Sequence, residues 1–405
     1  MKIGKFSETY RLSIDTIRHY MDLGLIVPEK QGGQYFFDSR CQKDLEDILN
    51  FKNMGFSLNE IKIVFLYKSL SKLTAYQENL YYRTFFTEKL KKVENDIKGL
   101  IKTKERLEDK LEELCRNVDK DNCTFGIDLR VLKLFKCLKC SRDLILYDAA
   151  VNSNQVMNGK LKCDCGEEYV IESGILRVGE PYQGTTYKYD DEHIIEYVNN
   201  TDMAYLDNLH KGLEWGGRKI KLCNLDNKII LELGTGFGFF LRHIYDELPD
   251  DCIYIAVDHS MERHKFLKSM LESSAHKRNI IFICSDFLSV PIKKKSVDII
   301  LDISGTSNYG FKHDHFLLDL VDDYIKEDAY LLGSYILFKS FSINSVIDRK
   351  YRRNFMLENI KEKIRGLKFK ALEENTSDYV DKGGKYENYF VEGEKVYTYS
   401  VIAKR

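Results

Sequence analysis

The sequence predicts a multidomain chain: an all-α winged helix-turn-helix with a coiled-coil helix, a small β ribbon, and a doubly wound α/β domain. Three observations carry that prediction. Residues 1–70 read as short helical patterns broken by Gly24, Pro28, Gly32-Gly33 and Gly55. Residues 72–120 hold a long charged run with spaced aliphatics, and from about residue 225 β-rich apolar runs alternate with helical stretches. Two close cysteine pairs lie between these regimes. The expected boundaries are 1–71, 72–120, 130–180 and 190–405, consistent with a 405-residue chain being too long for one ordinary domain.

Composition sets the outer limits. A hydrophobic content of 43% with 31% charged residues fits a globular chain and excludes bulk disorder. Sixty-two basic against 63 acidic residues leave a net charge of −1, so no whole-chain basic field drives nucleic-acid binding and only a local patch remains available. No apolar run approaches the ~18 residues of a membrane span, and Met1-Lys2-Ile3-Gly4 lacks a signal-peptide core. A cytoplasmic protein with no membrane partner is therefore expected.

The N-terminal module comes first. Ile3-Gly4-Lys5-Phe6 and Ser13 to Tyr20 read as two short helices, with Ser13 as N-cap and Asp15 in the first turn of the second. The short turn between them suits a helix-turn-helix whose second helix enters a major groove. Gly32-Gly33-Gln34-Tyr35-Phe36-Phe37 reads as a hairpin wing, Asp38 as the cap of a helix through Phe51, and Ser57 with Glu60 as a capping box. In the stretch that follows, Leu90, Val93, Ile97, Leu100, Leu107, Leu111 and Leu114 keep 3–4 spacing, with Lys104 at the seam. So narrow a stripe suits a two-helix coiled coil over 72–116 better than one amphipathic helix lying on its own domain.

The string Thr16-Ile17-Arg18-His19-Tyr20, Gly24-Leu25-Ile26, Pro28, Gly55-Phe56-Ser57-Leu58 and Glu60-Ile61 resembles the MerR family of bacterial transcription regulators over residues 2–66. The resemblance implies a homodimer held by an antiparallel coiled coil, promoter DNA as partner, and an indirect effect on RNA polymerase through DNA distortion. It places Arg18, His19 and Tyr20 where the family contacts DNA, and Tyr35 on the wing. One departure is Gln34-Tyr35 where the family has Tyr-Arg after the wing glycine, which removes a phosphate contact. Residues 1–70 carry ten Lys/Arg against nine Asp/Glu, so the electrostatic part of DNA affinity is modest. The alternative is a protein-interaction winged helix in which Arg18 is a solvated helix residue.

Cys137-Leu138-Lys139-Cys140 and Cys163-Asp164-Cys165 can bring four thiolates into a tetrahedron, a closed structural zinc site; the alternative is a metal-free ribbon. Cys41, Cys115, Cys123, Cys223, Cys252 and Cys284 stand singly and read as plain thiols.

In the last region, Lys228 to Leu233 reads as a buried strand, followed by Gly234-Thr235-Gly236-Phe237-Gly238 and a helix from about Phe239 to Glu247. This is the front half of a βαβ unit in a Rossmann-like sheet. Further strands, Cys252–Val257, Asn279–Cys284 and Val297–Leu301, bring Asp258, Asp286 and Asp302 to one carboxyl edge, where ligands of open α/β sheets bind. Gly-x-Gly-x-Gly with Glu232, Asp258 and Asp286-Phe287 resembles the class I S-adenosylmethionine-dependent methyltransferases, as does a closing hairpin of a strand near 367–373 and Val396–Ala403. That resemblance implies S-adenosylmethionine as cofactor, held by Glu232, Gly234, Gly236, Gly238, Asp258, Asp286, Phe287 and Asp302. The ribbon around Leu161, Tyr169 and Ile175 resembles those beside some tRNA and rRNA methyltransferases, although its second pair encloses one residue instead of two.

A sulfonium methyl is already activated, so positioning carries the chemistry and a base is needed only if the acceptor loses a proton. The acceptor side falls to residues 302–309 and Lys312 to His315, with His313, His315 and Tyr309 as catalytic candidates, although such a histidine is more often a cap or surface residue. The absence of Asn-Pro-Pro-Tyr after the fourth strand argues against an amino-methylating DNA enzyme, and the absence of Pro-Cys against a cytosine-C5 enzyme. Arg349-Lys350-Tyr351-Arg352-Arg353 reads as a solvated basic face. The leading expectation is a regulator whose methyltransferase domain modifies a small molecule. The alternatives are a pure ligand sensor on the same scaffold and an RNA methyltransferase.

Overall fold

In a computed structural model the chain divides into two units, Met1–Asp119 and Lys120–Arg405. The structure describes residues 1–70, 74–116, 123–179, 189, 191–274 and 276–405.

The first unit is built by local signals. Helices α1 (Ile3–Tyr10) and α2 (Ile14–Asp22) are joined at Arg11, whose left-handed backbone ends α1, and Ser13 Oγ accepts from Thr16 N to start α2. Strands β1 (Glu29–Gln31) and β2 (Gln34–Phe36) pair antiparallel as the wing around Gly32 and Gly33, both at positive φ. Asp38 Oδ1 accepts from Cys41 N at 2.9 Å to cap α3 (Ser39–Asn53). Ser57 and Glu60 bond reciprocally at the start of α4 (Leu58–Leu70), through Ser57 N to Glu60 Oε2 at 2.7 Å and Glu60 N to Ser57 Oγ at 3.3 Å. The 42-residue helix α5 (Ala75–Arg116) anchors its first turns on this core by aromatic stacking, Phe85 on Phe56 at 4.9 Å and Phe86 on Phe51 at 5.9 Å. Lys89 of α5 lies over the Phe56 ring and pairs with Glu60 at 3.0 Å, so the helix is tied to the capping box. Beyond it, Leu90, Leu100, Leu107, Leu111 and Leu114 are all exposed in the single chain.

The second unit is one mixed sheet whose central parallel strands are covered on both faces. Its elements are β3 (Ile127–Asp128), β4 (Ile145–Asn152), β5 (Gln155–Lys162), β6 (Glu168–Glu172), β7 (Ile175–Arg177), α6 (Asp191–Asn200), α7 (Met203–Ile220), β8 (Ile229–Leu233), α8 (Phe239–Ile244), β9 (Ile253–Asp258), α9 (Met261–Leu271), β10 (Ile280–Cys284), β11 (Val297–Ile303), α10 (Gly305–Gly310), α11 (Leu317–Val321), β12 (Ile325–Phe338), α12 (Leu357–Gly366), β13 (Lys370–Thr376) and β14 (Val396–Lys404). The order β13-β14-β12-β11-β8-β9-β10-β7-β6-β5-β3 is parallel from β12 through β7, while β14 runs antiparallel to both its neighbours. Alternate strand residues enter two cores: Ile230, Tyr254 and Phe282 pack with α8 and α9, and Leu231, Ile255 and Ile281 with α11 and α12. Because β10 and β7 pair in parallel, the cysteine-bearing segment continues the same sheet rather than standing apart from it. The hairpin strand expected near 367–373 begins instead at Lys370, and the long β12 and the helices α6 and α7 have no counterpart in the sequence reading.

Candidate functional site

A cleft of about 780 Å³ opens at the carboxyl edge of the parallel strands. The β8–α8 turn supplies Gly234 and Gly236, the tip of β9 supplies Asp258, and the turn after β10 supplies Asp286 and Phe287. Gly234, Gly236 and Gly238 have φ of 75°, 58° and 69°, a backbone that side chains rarely adopt. They do different work. A Cβ on Gly236 would meet only Gly234 O, at 3.8 Å, so the space above it is open; one on Gly238 would lie 2.4 Å from Leu267 of α9. The expectation that Gly238 faces a ligand is therefore corrected: it seats α8 against α9. A Cβ on Gly234 would lie 3.3 Å from the Phe287 ring, which places that ring beside the loop.

Asp258 Oδ2 accepts from Gly236 N at 2.9 Å and Oδ1 from Ser260 N at 2.8 Å, so this carboxylate shapes the loop while lining the cleft. Two residues that the sequence reading missed hold it. Arg263 stands 3.6 Å from Asp258 and over the Phe237 ring, and the buried His264 sets Nε2 3.2 Å from Asp258 N and 3.0 Å from Ile283 O, joining the ends of β9 and β10. The only sequence signal for His264 is its helical spacing from Ser260 and Leu267 on the inner face of α9. Val178, just past β7, also lines the cleft, and its N–H donates to Cys284 O at 3.0 Å.

Beneath the loop, Glu232 and Thr235 are buried and line no part of the cleft; burial pushes the Glu232 carboxyl up to about 7 against the opposing pull of the Tyr254 and Thr235 hydroxyls. Asp302 departs from expectation. It is 0% exposed, lines no part of the cleft, and accepts from Thr306 N at 2.7 Å and Thr306 Oγ1 at 2.5 Å, holding the start of α10. Burial raises its carboxyl to about 6.

On the side expected to face an acceptor, Tyr309 and His313 stack at 4.0 Å and line the cleft with Asn308 and Lys312, and burial raises the Tyr309 phenol above its ordinary value. Asn354, in the basic 3₁₀ turn Arg349–Phe355, donates to the carbonyls of Gly310 and His313 at 3.0 and 2.7 Å and fixes that end. His315 is exposed, pairs with Asp314 at 3.0 Å and lies outside the cleft, so its candidacy is corrected.

The four cysteines converge. The Sγ atoms of Cys137, Cys140, Cys163 and Cys165 all lie within 4.8 Å of one another, the only such group among the described residues. Four thiols at this separation fit one tetrahedral ion with metal–sulfur bonds near 2.3 Å. Arg142 Nε donates to Cys140 Sγ, a contact that favours the thiolate there.

In the first unit Arg18 and His19 are exposed on α2, with Arg18 3.5 Å from Asp15, and Tyr35 is exposed on the wing beneath Lys30. Tyr20 is corrected: it is 1% exposed and packs with Phe6, Ile17 and Leu45, its hydroxyl reached by Lys52.

Residues 1–68 match the family described as MerR HTH family regulatory protein. A curated relative, the HTH-type transcriptional regulator HmrR of Rhizobium leguminosarum bv. viciae, is 30% identical over 125 residues, which span 92% of it and 30% of this chain. The chain belongs to the MerR family of regulators. A second relative of this MerR-family chain, a ZntR homolog of Haemophilus influenzae, is 33% identical over 81 residues, 60% of its length and 20% of this chain. Residues 230–318 match a methyltransferase domain. Solved structures similar to part of this chain include a SAM-dependent methyltransferase from Aquifex aeolicus, at 16% identity and a TM-score of 0.35 over 53% of this chain and 99% of that one. Another is a SAM-dependent methyltransferase from Geobacter sulfurreducens in complex with S-adenosyl-L-homocysteine, at 14% identity and a TM-score of 0.36, covering 48% and 91%. No helix among the described residues is long and apolar enough to cross a membrane.

Proposed function

We propose that the chain is a dimeric, promoter-binding MerR regulator of the bacterial cytoplasm whose second unit binds S-adenosylmethionine and transfers its methyl group to a small molecule. The observation that carries the second half is the open space above Gly236, at a turn whose neighbour Asp258 lines the same cleft. A cleft of about 780 Å³ has the capacity for a nucleoside with an amino-acid tail. The residues fit that group: open glycine backbone for close approach, an acid at the tip of the second strand for ribose hydroxyls, and Phe287 beside Asp286 for the base. Glu232 and Thr235 lie buried under the loop and support its backbone from below without lining the cleft.

When bound, the donor supplies an activated methyl group on sulfur. The chain's own part is to exclude water and align an acceptor on the Asn308–Tyr309–Lys312–His313 side. Tyr309, whose phenol burial raises above its ordinary value, orients an acceptor as a hydrogen-bond donor, and His313 beside it is placed to act as the base. Cys137, Cys140, Cys163 and Cys165 would hold a zinc ion through four thiolates, a donor set suited to a structural role. The exposed seam of α5 pairs two chains, and α2 with the wing meets DNA, changing how RNA polymerase uses the promoter. DNA binding is tested by anisotropy with DNA fragments selected on the full protein. Arg18→Ala should weaken binding about tenfold or more at fixed salt; unchanged affinity would mean that α2 does not face DNA.

A further inference from the structure

The walls of the cleft differ in charge. The strand tips contribute the two acids that line it, Asp258 and Asp286. The chain itself engages both: Asp258 accepts from Gly236 N and Ser260 N and stands 3.6 Å from Arg263, and Asp286 Oδ1 accepts from Leu288 N at 2.8 Å. The wall built by α10 and the residues after it, Asn308, Tyr309, Lys312 and His313, has no acid among the described residues. Asp314, next in sequence, lies outside the lining and pairs with His315 at 3.0 Å. Lys312 is exposed, lines the cleft and has no ion pair among the described residues.

Two further observations bear on this wall. The basic stretch that reads in the sequence as a solvated face is fastened to it, because Asn354 donates to the carbonyls of Gly310 and His313. In that turn Lys350 pairs with Asp348 at 3.8 Å, Arg353 pairs with Glu362 at 3.6 Å, and Arg352 lies over the Phe341 ring; Arg349 has no ion pair among the described residues. Surplus positive charge beside a cleft raises the local concentration of anions. The second observation concerns His313, whose Nδ1 lies 3.1 Å from Tyr309 O. A carbonyl oxygen only accepts, so Nδ1 carries the hydrogen and Nε2 is left as the basic nitrogen. Lys312 and His313 are consecutive and both line the cleft, which sets a cation beside a base.

We propose that the methyl acceptor is a small hydroxy or amino compound bearing a carboxylate or phosphate close to the group that is methylated, and that Lys312 selects it. This rests on the methyl-donor reading of the same cleft. Lys312 receives the anion in a charge-assisted hydrogen bond, which brings the neighbouring hydroxyl or amine to His313. A negative charge here also suits a cleft whose donor is a sulfonium cation, whereas a cationic acceptor would meet like charge on both sides.

Full-length protein saturated with S-adenosylhomocysteine is titrated by calorimetry with matched probes: salicylate against salicylamide, lactate against lactamide, and glycerophosphate against glycerol. The first two pairs report on a carboxylate and the third on a phosphate. At least one anion is expected to bind at least tenfold more tightly than its neutral partner, a difference of about 1.4 kcal/mol. Lys312→Gln should abolish that preference and Lys312→Arg should keep it, a rescue that a merely structural role would not produce. Equal binding within every pair, no binding by any anion, or a preference that survives Lys312→Gln would overturn the proposal. Selective binding of a single-stranded RNA oligonucleotide in place of the small anions would overturn it too. S-Adenosylhomocysteine affinity is measured first on the same samples: its absence would overturn the donor reading itself, whereas intact binding without an anion preference would overturn the acceptor class alone.

Discussion

Replacing Gly238 and Gly236 by alanine one at a time should separate two roles that the glycine loop combines. At Gly238 the new Cβ lies 2.4 and 2.7 Å from the two Leu267 methyls, in a backbone at φ 69°. The left-handed conformation costs about 1 kcal/mol for a non-glycine residue, and forcing a methyl into packed Leu267 adds about 1–3 kcal/mol. Gly238→Ala should therefore lose roughly 2–4 kcal/mol of stability in the second unit. At Gly236 only the backbone term applies, because a Cβ there would meet nothing closer than 3.8 Å. Gly236→Ala should cost about 1 kcal/mol of stability, yet its methyl enters the cleft and should weaken S-adenosylhomocysteine at least tenfold. Urea unfolding followed by far-ultraviolet circular dichroism gives the stabilities, and calorimetry on the folded protein gives the affinities. Leu267→Ala combined with Gly238→Ala should show coupling, since the clash partner is gone. The reasoning is refuted if Gly238→Ala keeps its stability but loses the ligand, or if Gly236→Ala binds as the wild type does.

Other expectations follow from the same contacts. Burial raises Glu232 from 4.5 to about 7, so the folded state favours its neutral form: its contribution is fully present below pH 4.5 and is lost as pH rises through about 7. Glu232→Gln should thus stabilise the ligand-free protein at pH 8 by up to about 3 kcal/mol and flatten stability between pH 4.5 and 7, measured by chemical unfolding across pH; an unchanged profile would reject the burial argument. Ser57→Ala removes one arm of the capping box and should cost about 1 kcal/mol, read from thermal unfolding of the first unit. Leu100→Asp with Leu107→Asp should convert a dimer to a monomer in sedimentation velocity; a persistent dimer would place the interface elsewhere. Cys140→Ser should lower bound zinc from one ion per chain to well below one by atomic absorption; full zinc content would exclude the four-thiol site.

The fold was legible in the sequence wherever the signal is local. Ser13, Asp38 and the Ser57–Glu60 pair cap the helices that follow them because a side chain three residues from a free N–H needs no tertiary help. The strand ends carrying Asp258, Asp286 and Asp302 were equally plain. What their side chains do was not: Asp302 bonds Thr306 beneath the surface while Asp258 and Asp286 line the cleft, a difference set by packing rather than by position in the strand. Gly236 and Gly238 look alike in sequence and diverge only because Leu267, on another helix, lies against one of them. Tyr20 could have been recognised as core, since it follows Ile17 by three residues on the face that meets Phe6. The pairing of β7 with β10 had no such signal, because it joins segments about a hundred residues apart through backbone alone.

The central claim, that this MerR-family chain carries a working donor site, is tested most directly by calorimetric titration of the full-length protein with S-adenosylmethionine. Saturable binding at one site per chain, weakened at least tenfold by Gly236→Ala, is the predicted result. No measurable heat from folded wild-type protein, or equal affinity in the variant, would contradict it.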